Sequence, residues 1–198
     1  PSDATGDKTR SYSELAARLS AALVDDWLYF DSSASISQQA VSAFGPRVTR
    51  AYGNDNASEV RTWRASPYLR HRFGNTATAE LRYELDSVET GRSGLGNSDG
   101  QTASARINSG RRFGDLGWNF SAHERRIDDE LTPETSEATA LFGLRYSIGR
   151  TFALTGDIGY DKYDYGALGG INEGKSWSAG MIWTPGVRTR VEANAGRH

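Results

Sequence analysis

Residues 177–196 read WSAGMIWTPGVRTRVEANAG, and this stretch decides the class of fold. Pro185 and Gly186 divide it into two halves, and in each half apolar or small residues alternate with polar ones. An apolar residue at every second position is the pattern of a β-strand with one apolar and one polar face. The stretch therefore predicts a hairpin that turns at Pro185-Gly186. Its apolar side must contact either a second sheet or lipid.

The same alternation recurs along the chain and predicts about ten strands in all. The first of these segments, SELAARLSAALV at 13–24, also fits an amphipathic helix because it is rich in Ala and Leu. Its strict alternation, and a length that matches its neighbours, favour a strand.

Two kinds of connection separate the predicted strands. Short sequences rich in Gly, Asn and Asp predict tight turns at 24–27, 73–76, 113–116, 148–151 and 184–187. Longer polar connections are predicted at 42–57, 90–101, 128–136 and 166–175. Because tight and long connections strictly alternate, the sequence predicts one domain of repeated hairpins over residues 1–198.

The composition argues against several classes of function. With 23 basic and 25 acidic residues the net charge is −2, which gives no electrostatic basis for binding nucleic acid. The chain has no cysteine, so disulfides and thiolate metal sites are excluded. His71, His123 and His198 lack carboxylates at metal-ligand spacing, and no GxSxG motif is present. The sequence therefore predicts no enzyme activity, no metal site and no cofactor.

Aromatic residues of the apolar face fall into two groups, with mostly Ala, Leu, Ile and Val between them. The group beside the tight turns is Trp27, Phe73, Phe113, Trp118, Phe152 and Trp183. The group toward the longer connections is Tyr12, Trp63, Tyr83, Tyr146, Tyr160 and Trp177. Two aromatic bands around an aliphatic belt are typical of an outer-membrane barrel, and chance placement of strand-favouring residues is the alternative. The aromatics predicted at the membrane interface are Trp27, Trp63, Phe73, Phe113, Trp118, Phe152, Trp177 and Trp183.

The opposite face carries charge on strand after strand. In a barrel this face would line the lumen, with the predicted lumen-facing residues Arg18, Asp31, Arg64, Arg70, Glu80, Arg82, Glu84, Asp86, Arg106, Arg145, Asp157, Arg188, Arg190 and Glu192. Unpaired ions in apolar surroundings cost several kcal/mol each, so these groups need water or partners. They form either a ladder of structural ion pairs or the lining of a polar conduit. Tyr29, Tyr68 and Tyr163 share this face, where they either pack together or stack on sugars.

The third and fourth predicted strands show how ion pairs arise. Both carry their apolar residues at odd positions, so a turn centred on Asn75 must pair odd with odd and even with even. That register places Phe73 opposite Ala77. It also places Arg70 opposite Glu80 and Arg64 opposite Asp86, which are pairs of opposite charge.

A transmembrane barrel and a soluble sandwich both explain a sheet with one apolar face. No segment approaches the ~18 consecutive apolar residues of a membrane helix, but barrel strands hide their apolar residues in alternation. Strands of about ten residues, with short turns at one end and longer connections at the other, favour an antiparallel transmembrane β-barrel. Both chain ends would then lie on the outer side. We therefore expect a segment of a larger up-and-down barrel, with strands missing on both sides.

Three blocks of sequence carry a resemblance to a known family: VDDWLYFDSSASISQQAVSAFGP, SPYLRHRFGNTATAELRYELDS and WSAGMIWTPGVRTRVEANAGRH. They resemble the bacterial outer-membrane β-barrel family associated with the PEP-CTERM/exosortase system, over roughly 10–198. The resemblance implies a barrel that continues past the final hairpin and a link to exopolysaccharide production. It implies no catalytic residues.

These observations lead to one functional expectation and two alternatives. We expect an outer-membrane channel or porin-like protein, in contact with the lipid bilayer, that exports a polysaccharide or passes small solutes. The first alternative is a non-transporting barrel that binds an envelope protein through its long loops. The second is a soluble β-sandwich.

Overall fold

The computed structural model describes residues 14–40, 57–91 and 96–197, and these residues form an all-β structure. The strands are β1 (Leu15–Val24), β2 (Leu28–Ala40), β3 (Ala57–Phe73), β4 (Ala77–Thr90), β5 (Ser98–Ser109), β6 (Leu116–Asp129), β7 (Thr132–Ile148), β8 (Phe152–Asp164), β9 (Ile171–Gly186) and β10 (Thr189–Arg197). Two 3-10 turns lie at Arg111–Phe113 and Gly166–Leu168. The prediction of an all-β fold is confirmed for the described residues, and residues 15–24 of the segment that also fitted a helix form strand β1. No helix of the described residues has the length and apolar character needed to cross a membrane.

The ten strands form one antiparallel meander, in which each strand pairs with the strands before and after it in sequence. Over the described residues, β1 pairs only with β2 and β10 only with β9. The sheet is therefore open: its first and last strands each have a free edge.

The predicted register of β3 and β4 is confirmed. Phe73 faces Ala77, Arg70 faces Glu80, and Arg64 faces Asp86. Gly74 in the intervening turn has a φ of 56°, a left-handed conformation that glycine adopts without steric cost.

The predicted long connections at 90–101 and 166–175 are shorter in the structure, at 91–97 and 165–170, and two other connections change from tight to long or from long to tight. The predicted tight turn at 113–116 is a six-residue connection, 110–115, because Gly110 N donates to the Thr76 carbonyl (2.7 Å) and Arg112 N to the Asn75 carbonyl (2.9 Å). The predicted long connection at 128–136 is a turn of only two residues, 130–131. There the Asp129 carboxylate accepts a hydrogen bond from Leu131 N at 2.9 Å. This acidic residue, which the prediction assigned to a long loop, therefore closes a short turn.

The hairpin at 177–196 turns two residues later than predicted. Strand β9 continues through Pro185 and Gly186, and the turn falls at Val187 and Arg188. A register irregularity between Thr189 and Val191 accompanies the later turn, and Val191 faces Trp183. The predicted connection at 42–57 lies outside the described residues, apart from Ala57 at the start of β3.

We call the two ends of the sheet the turn end and the loop end, after the connections that each carries. The turn end carries 25–27, 74–76, 110–115, 149–151 and 187–188. The loop end carries 91–97, 130–131 and 165–170. Short connections therefore occur at both ends, and the predicted strict alternation of tight and long connections is wrong.

The described sheet has no second layer. Its buried hydrophobic residues are only Val60, Ala77 and Ala153, whereas large apolar side chains stay exposed along nearly every strand. Ordinary soluble domains bury one face of each sheet against another element. Here one whole face of the sheet is left without a partner within the described chain.

Candidate functional site: an apolar face and a charged face

Register places most of the apolar residues of the ten strands on one face of the sheet, because side chains alternate between faces along a strand. The middle of this face is the apolar belt, which includes Leu19, Leu69, Leu81, Ile107, Phe120, Phe142, Leu154, Ile158, Met181 and Val191. Leu81 is 56% exposed and Ile158 is 61% exposed, although both lie in mid-strand.

Aromatic rings gather where the apolar belt meets the turn end. Trp27, in the β1–β2 turn, stacks on His71 with ring centroids 3.8 Å apart, and His71 contacts Phe73 edge-on at 4.7 Å. Phe113 lies in the 3-10 turn and meets the Trp118 ring edge-on at 5.7 Å. On the last strands Phe152 faces Trp183. The aromatics predicted beside the tight turns therefore lie at the turn end. Trp27 and Phe113 belong to the connections themselves and not to strands.

A second set of aromatics lies on the same face, nearer the loop end. Trp63, Tyr83, Tyr160 and Trp177 occupy apolar-face positions of β3, β4, β8 and β9. The Tyr83 hydroxyl donates to Gln101 Oε1 at 3.0 Å. Tyr146 was predicted with this group, but it lies two residues before the end of β7 at the turn end. Tyr12 lies outside the described residues.

Beyond this second set, the same face becomes charged, a feature that the sequence analysis missed. These residues form the loop-end fringe: Glu59, Arg61, Glu89, Asp99, Glu124, Arg126, Asp128, Lys162, Glu173 and Lys175. Short ion pairs join Arg61 to Glu59 (2.8 Å) and Arg126 to Glu124 (2.7 Å). The hydrogen bond and charge of Glu124 raise the pKa of Arg126. The sequence does indicate this fringe. Within one strand, the alternate positions that are apolar in the middle carry charged residues toward the loop end.

The opposite, polar face holds most of the residues predicted to line a lumen. Register places on it Arg18, Asp31, Arg64, Arg70, Glu80, Arg82, Glu84, Asp86, Arg106, Arg145, Asp157 and Glu192. Arg190 lies at the register irregularity of β10 and binds Glu192. Arg188 is a correction: the shifted hairpin places it in the turn and not on the strand face.

A network of ion pairs crosses the polar face from β2 to β4. The Arg70 guanidinium lies 2.7 Å from Glu80, and Arg82 reaches both Glu80 (3.4 Å) and Asp31 (3.3 Å). Arg82 also donates to Ser66 Oγ at 2.9 Å. The predicted pairing of Arg70 with Glu80 therefore forms, within a larger network.

The predicted pair of Arg64 and Asp86 does not form, although the two residues face each other. Arg64 instead reaches diagonally to Glu84 at 3.3 Å, and Asp86 binds Arg125 of β6 at 3.1 Å. Gly100 of β5 makes this possible, since a Cβ there would lie 2.6 Å from the Asp86 carboxylate oxygens. The missing side chain lets an ion pair span an intervening strand.

A row of rings and a guanidinium crosses the same strands. Tyr29 and Tyr68 stack with centroids 5.1 Å apart, and Arg82 lies over the Tyr68 ring at 3.8 Å. A guanidinium over an aromatic face is held by the quadrupole of the ring. Tyr29 and Tyr68 therefore pack on each other, which is one of the two predicted roles for these rings. Arg82 is an additional partner of the pair.

His123 makes contacts that the sequence did not suggest. Its Nδ1 lies 2.7 Å from Thr139 Oγ1 and its Nε2 lies 3.5 Å from Glu137. All three side chains are on the polar face, on neighbouring strands. In the described ranges, no group of three or more His, Asp or Glu side chains is arranged to hold a metal ion.

Comparisons with models of protein families, with curated proteins and with solved structures found no match to this chain. The class that fold and site define is therefore a structural one: an open, single-layer antiparallel sheet with one apolar and one charged face.

Proposed function

We propose that this sheet is part of the wall of a transmembrane β-barrel in a bacterial outer membrane. The apolar belt would face lipid and the polar face a water-filled lumen. The observation that carries the proposal is the belt itself, whose residues are exposed or half-buried along the sheet and covered by no other described part of the chain. Contiguous apolar patches of this extent are uncommon on soluble monomers and mark contact with a membrane or another protein.

The dimensions of the belt support lipid as its partner. On β3, Phe73 and Trp63 are ten positions apart, which is about 33 Å along a strand. At a strand tilt of about 45° this corresponds to about 23 Å, close to the ~25 Å apolar band of outer-membrane barrels. Arg61, the next residue on this face, opens the charged fringe.

The distribution of charge supports the same orientation. Among the described strand residues of the apolar face, charged side chains occur only toward the loop end, where headgroups and water would surround them. On the polar face they occur in mid-strand, at Arg82 and Asp157 for example. A lumen filled with water would solvate these groups at no desolvation cost.

We further propose that the barrel is a channel for polar solutes. The resemblance of the sequence to the exosortase-associated barrels adds a polysaccharide as the candidate cargo. The polar face supports this proposal because it offers ion pairs, hydroxyls and tyrosine rings to a hydrated solute.

Planar-bilayer recording of the full-length protein tests the channel. We expect stepwise conductance increments after insertion from detergent. The control is the same preparation with Leu81→Arg, which places a charge in the apolar belt and should insert poorly.

Two outcomes would contradict the proposal at different levels. Insertion without conductance would exclude the channel and leave the non-transporting docking barrel. A monodisperse protein in detergent-free buffer would exclude the membrane barrel altogether and favour the sandwich.

A further inference from the structure

The polar face of β1–β5 holds more arginines than carboxylates. The arginines form the arginine patch: Arg18, Arg64, Arg70, Arg72, Arg82 and Arg106. The carboxylates on the same strands and face are Asp31, Glu80, Glu84 and Asp86. Asp86 is bound by Arg125 of the next strand, which leaves three carboxylates for the patch.

Internal ion pairs use only half of the patch. Glu80 alone serves both Arg70 and Arg82, while Arg106, its direct neighbour on β5, makes no ion pair with any described residue. Arg18 and Arg72 likewise have no ion pair among the residues that the structure describes. These three guanidiniums are free to bind an external anion.

The patch surrounds two open cavities. Arg18, Arg64 and Arg82 line a cavity of about 290 Å³, together with the carboxylates that pair with two of them, Glu84 with Arg64 and Asp31 with Arg82. Ser33 and Ser66 add hydroxyl groups to its wall. A second cavity, of about 450 Å³, lies at the turn end, where Arg70, Arg72, Tyr29 and Thr78 of the polar face line it together with Asp26 of the turn and His71. The first cavity therefore contains the unpaired Arg18 beside two arginines that ion pairs hold in place, and the second contains the unpaired Arg72 beside Arg70, which Glu80 holds.

We propose that the arginine patch binds an oxyanion, a carboxylate or phosphate group of a hydroxylated solute. A guanidinium presents parallel N–H donors that match the two oxygens of such a group. Arg82 is fixed by Asp31, Glu80 and the Tyr68 ring, so the cavity wall is ordered before the anion arrives. The surrounding serines suit the hydroxyls of the solute.

The other half of the polar face is different. On β7 and β8 it carries Glu137, Asp157 and Asp161 against a single arginine, Arg145. The anion site is therefore local to β1–β5. Arg145 provides a matched control because it also lies on the polar face and has no ion pair among the described residues.

Titration calorimetry of the full-length protein in detergent micelles tests the site. The probes are glucuronate, inorganic phosphate and neutral glucose. The variants are Arg18→Gln, Arg72→Gln, the triple variant that adds Arg106→Gln, and Arg145→Gln as the control. None of these substitutions breaks a described ion pair, and the single variants keep the test valid if the triple variant does not fold.

We expect glucuronate, phosphate or both to bind the wild type. We also expect at least tenfold weaker binding in the triple variant, weaker binding in each single variant, and a change of less than twofold for Arg145→Gln. Binding of glucuronate alone would identify a sugar acid as the solute, and binding of phosphate alone a phosphorylated one. The site would be refuted by no oxyanion binding, by equal binding of glucose, or by equal losses in Arg145→Gln.

The inference rests on the proposed function only for its setting in a lumen. Because the assay measures binding in micelles, a protein that binds oxyanions but does not conduct would contradict the channel and keep the site. A protein that conducts but binds no oxyanion would contradict the site and keep the channel.

Discussion

Arg70 and Glu80 face each other across the β3–β4 hairpin, with the guanidinium Nη2 of Arg70 2.7 Å from Oε2 of Glu80. The hairpin joins them through a turn at 74–76. The side chain of Arg70 is 56% exposed and that of Glu80 is 25% exposed, so water screens the pair in part. The pair therefore adds little free energy to the sheet.

The first prediction concerns the energy of this pair. A double-mutant cycle with Arg70→Gln and Glu80→Gln should give a coupling energy of about 0.5–1 kcal/mol, the range of cross-strand and partly exposed ion pairs. Urea unfolding in lipid vesicles provides the free energies. Arg18→Gln combined with Glu80→Gln is the control and should show no coupling; coupling above about 2 kcal/mol for Arg70 would mean that the pair is buried in the native protein.

The second prediction compares two exposed leucines on opposite faces. Leu81 lies on the apolar belt and is 56% exposed, whereas Leu141 lies on the polar face and is 42% exposed. If the belt contacts lipid, Leu81→Arg should lower the free energy of unfolding in vesicles by about 2–4 kcal/mol. Leu141→Arg should change it by less than about 1 kcal/mol, because water surrounds that side chain. Equal effects of the two substitutions would show that the faces have the same surroundings.

A third prediction tests the contact between two connections at the turn end. A Cβ on Gly110 would overlap the backbone carbonyl of Asn75, which no side-chain rotation can relieve. Gly110→Ala should therefore lower the free energy of unfolding by about 1–3 kcal/mol.

Gly117→Ala is the matched control for that substitution. The nearest atom to its Cβ would be the Arg145 carbonyl oxygen at 3.8 Å, which is ordinary contact. It should be neutral, or stabilising by up to about 1 kcal/mol, because alanine loses less chain entropy than glycine. A similar loss at both positions would show that the 110–115 connection does not rest on the 74–76 turn.

Much of this architecture could be predicted from alternation alone. Alternation located the strands, and the odd-numbered apolar residues of β3 and β4 fixed their register around Asn75. What alternation does not encode is a local irregularity. The turn at Val187 and Arg188 follows from a register shift, and the two-residue turn at 130–131 follows from a carboxylate that closes it.

The partners of charged side chains were harder to predict than their faces. Asp86 was expected to bind Arg64, the residue opposite, but it binds Arg125 two strands away. That contact depends on the absence of a side chain at Gly100. It involves three strands, β4, β5 and β6, so pairing two neighbouring strands at a time does not predict it. The loop-end fringe, in contrast, could have been found by following each alternation to the end of its strand.

The most direct test of the central claim, that the apolar face contacts lipid, uses the five native tryptophans. Trp63, Trp118, Trp177 and Trp183 lie on the apolar face, and Trp27 stacks on His71 of the same face. The measurement is quenching of tryptophan fluorescence in vesicles, by lipids brominated on their acyl chains and by iodide in the water. We predict strong quenching by the brominated lipids and little by iodide. Tryptophans that iodide quenches and brominated lipids do not, or that neither quenches, would contradict the claim.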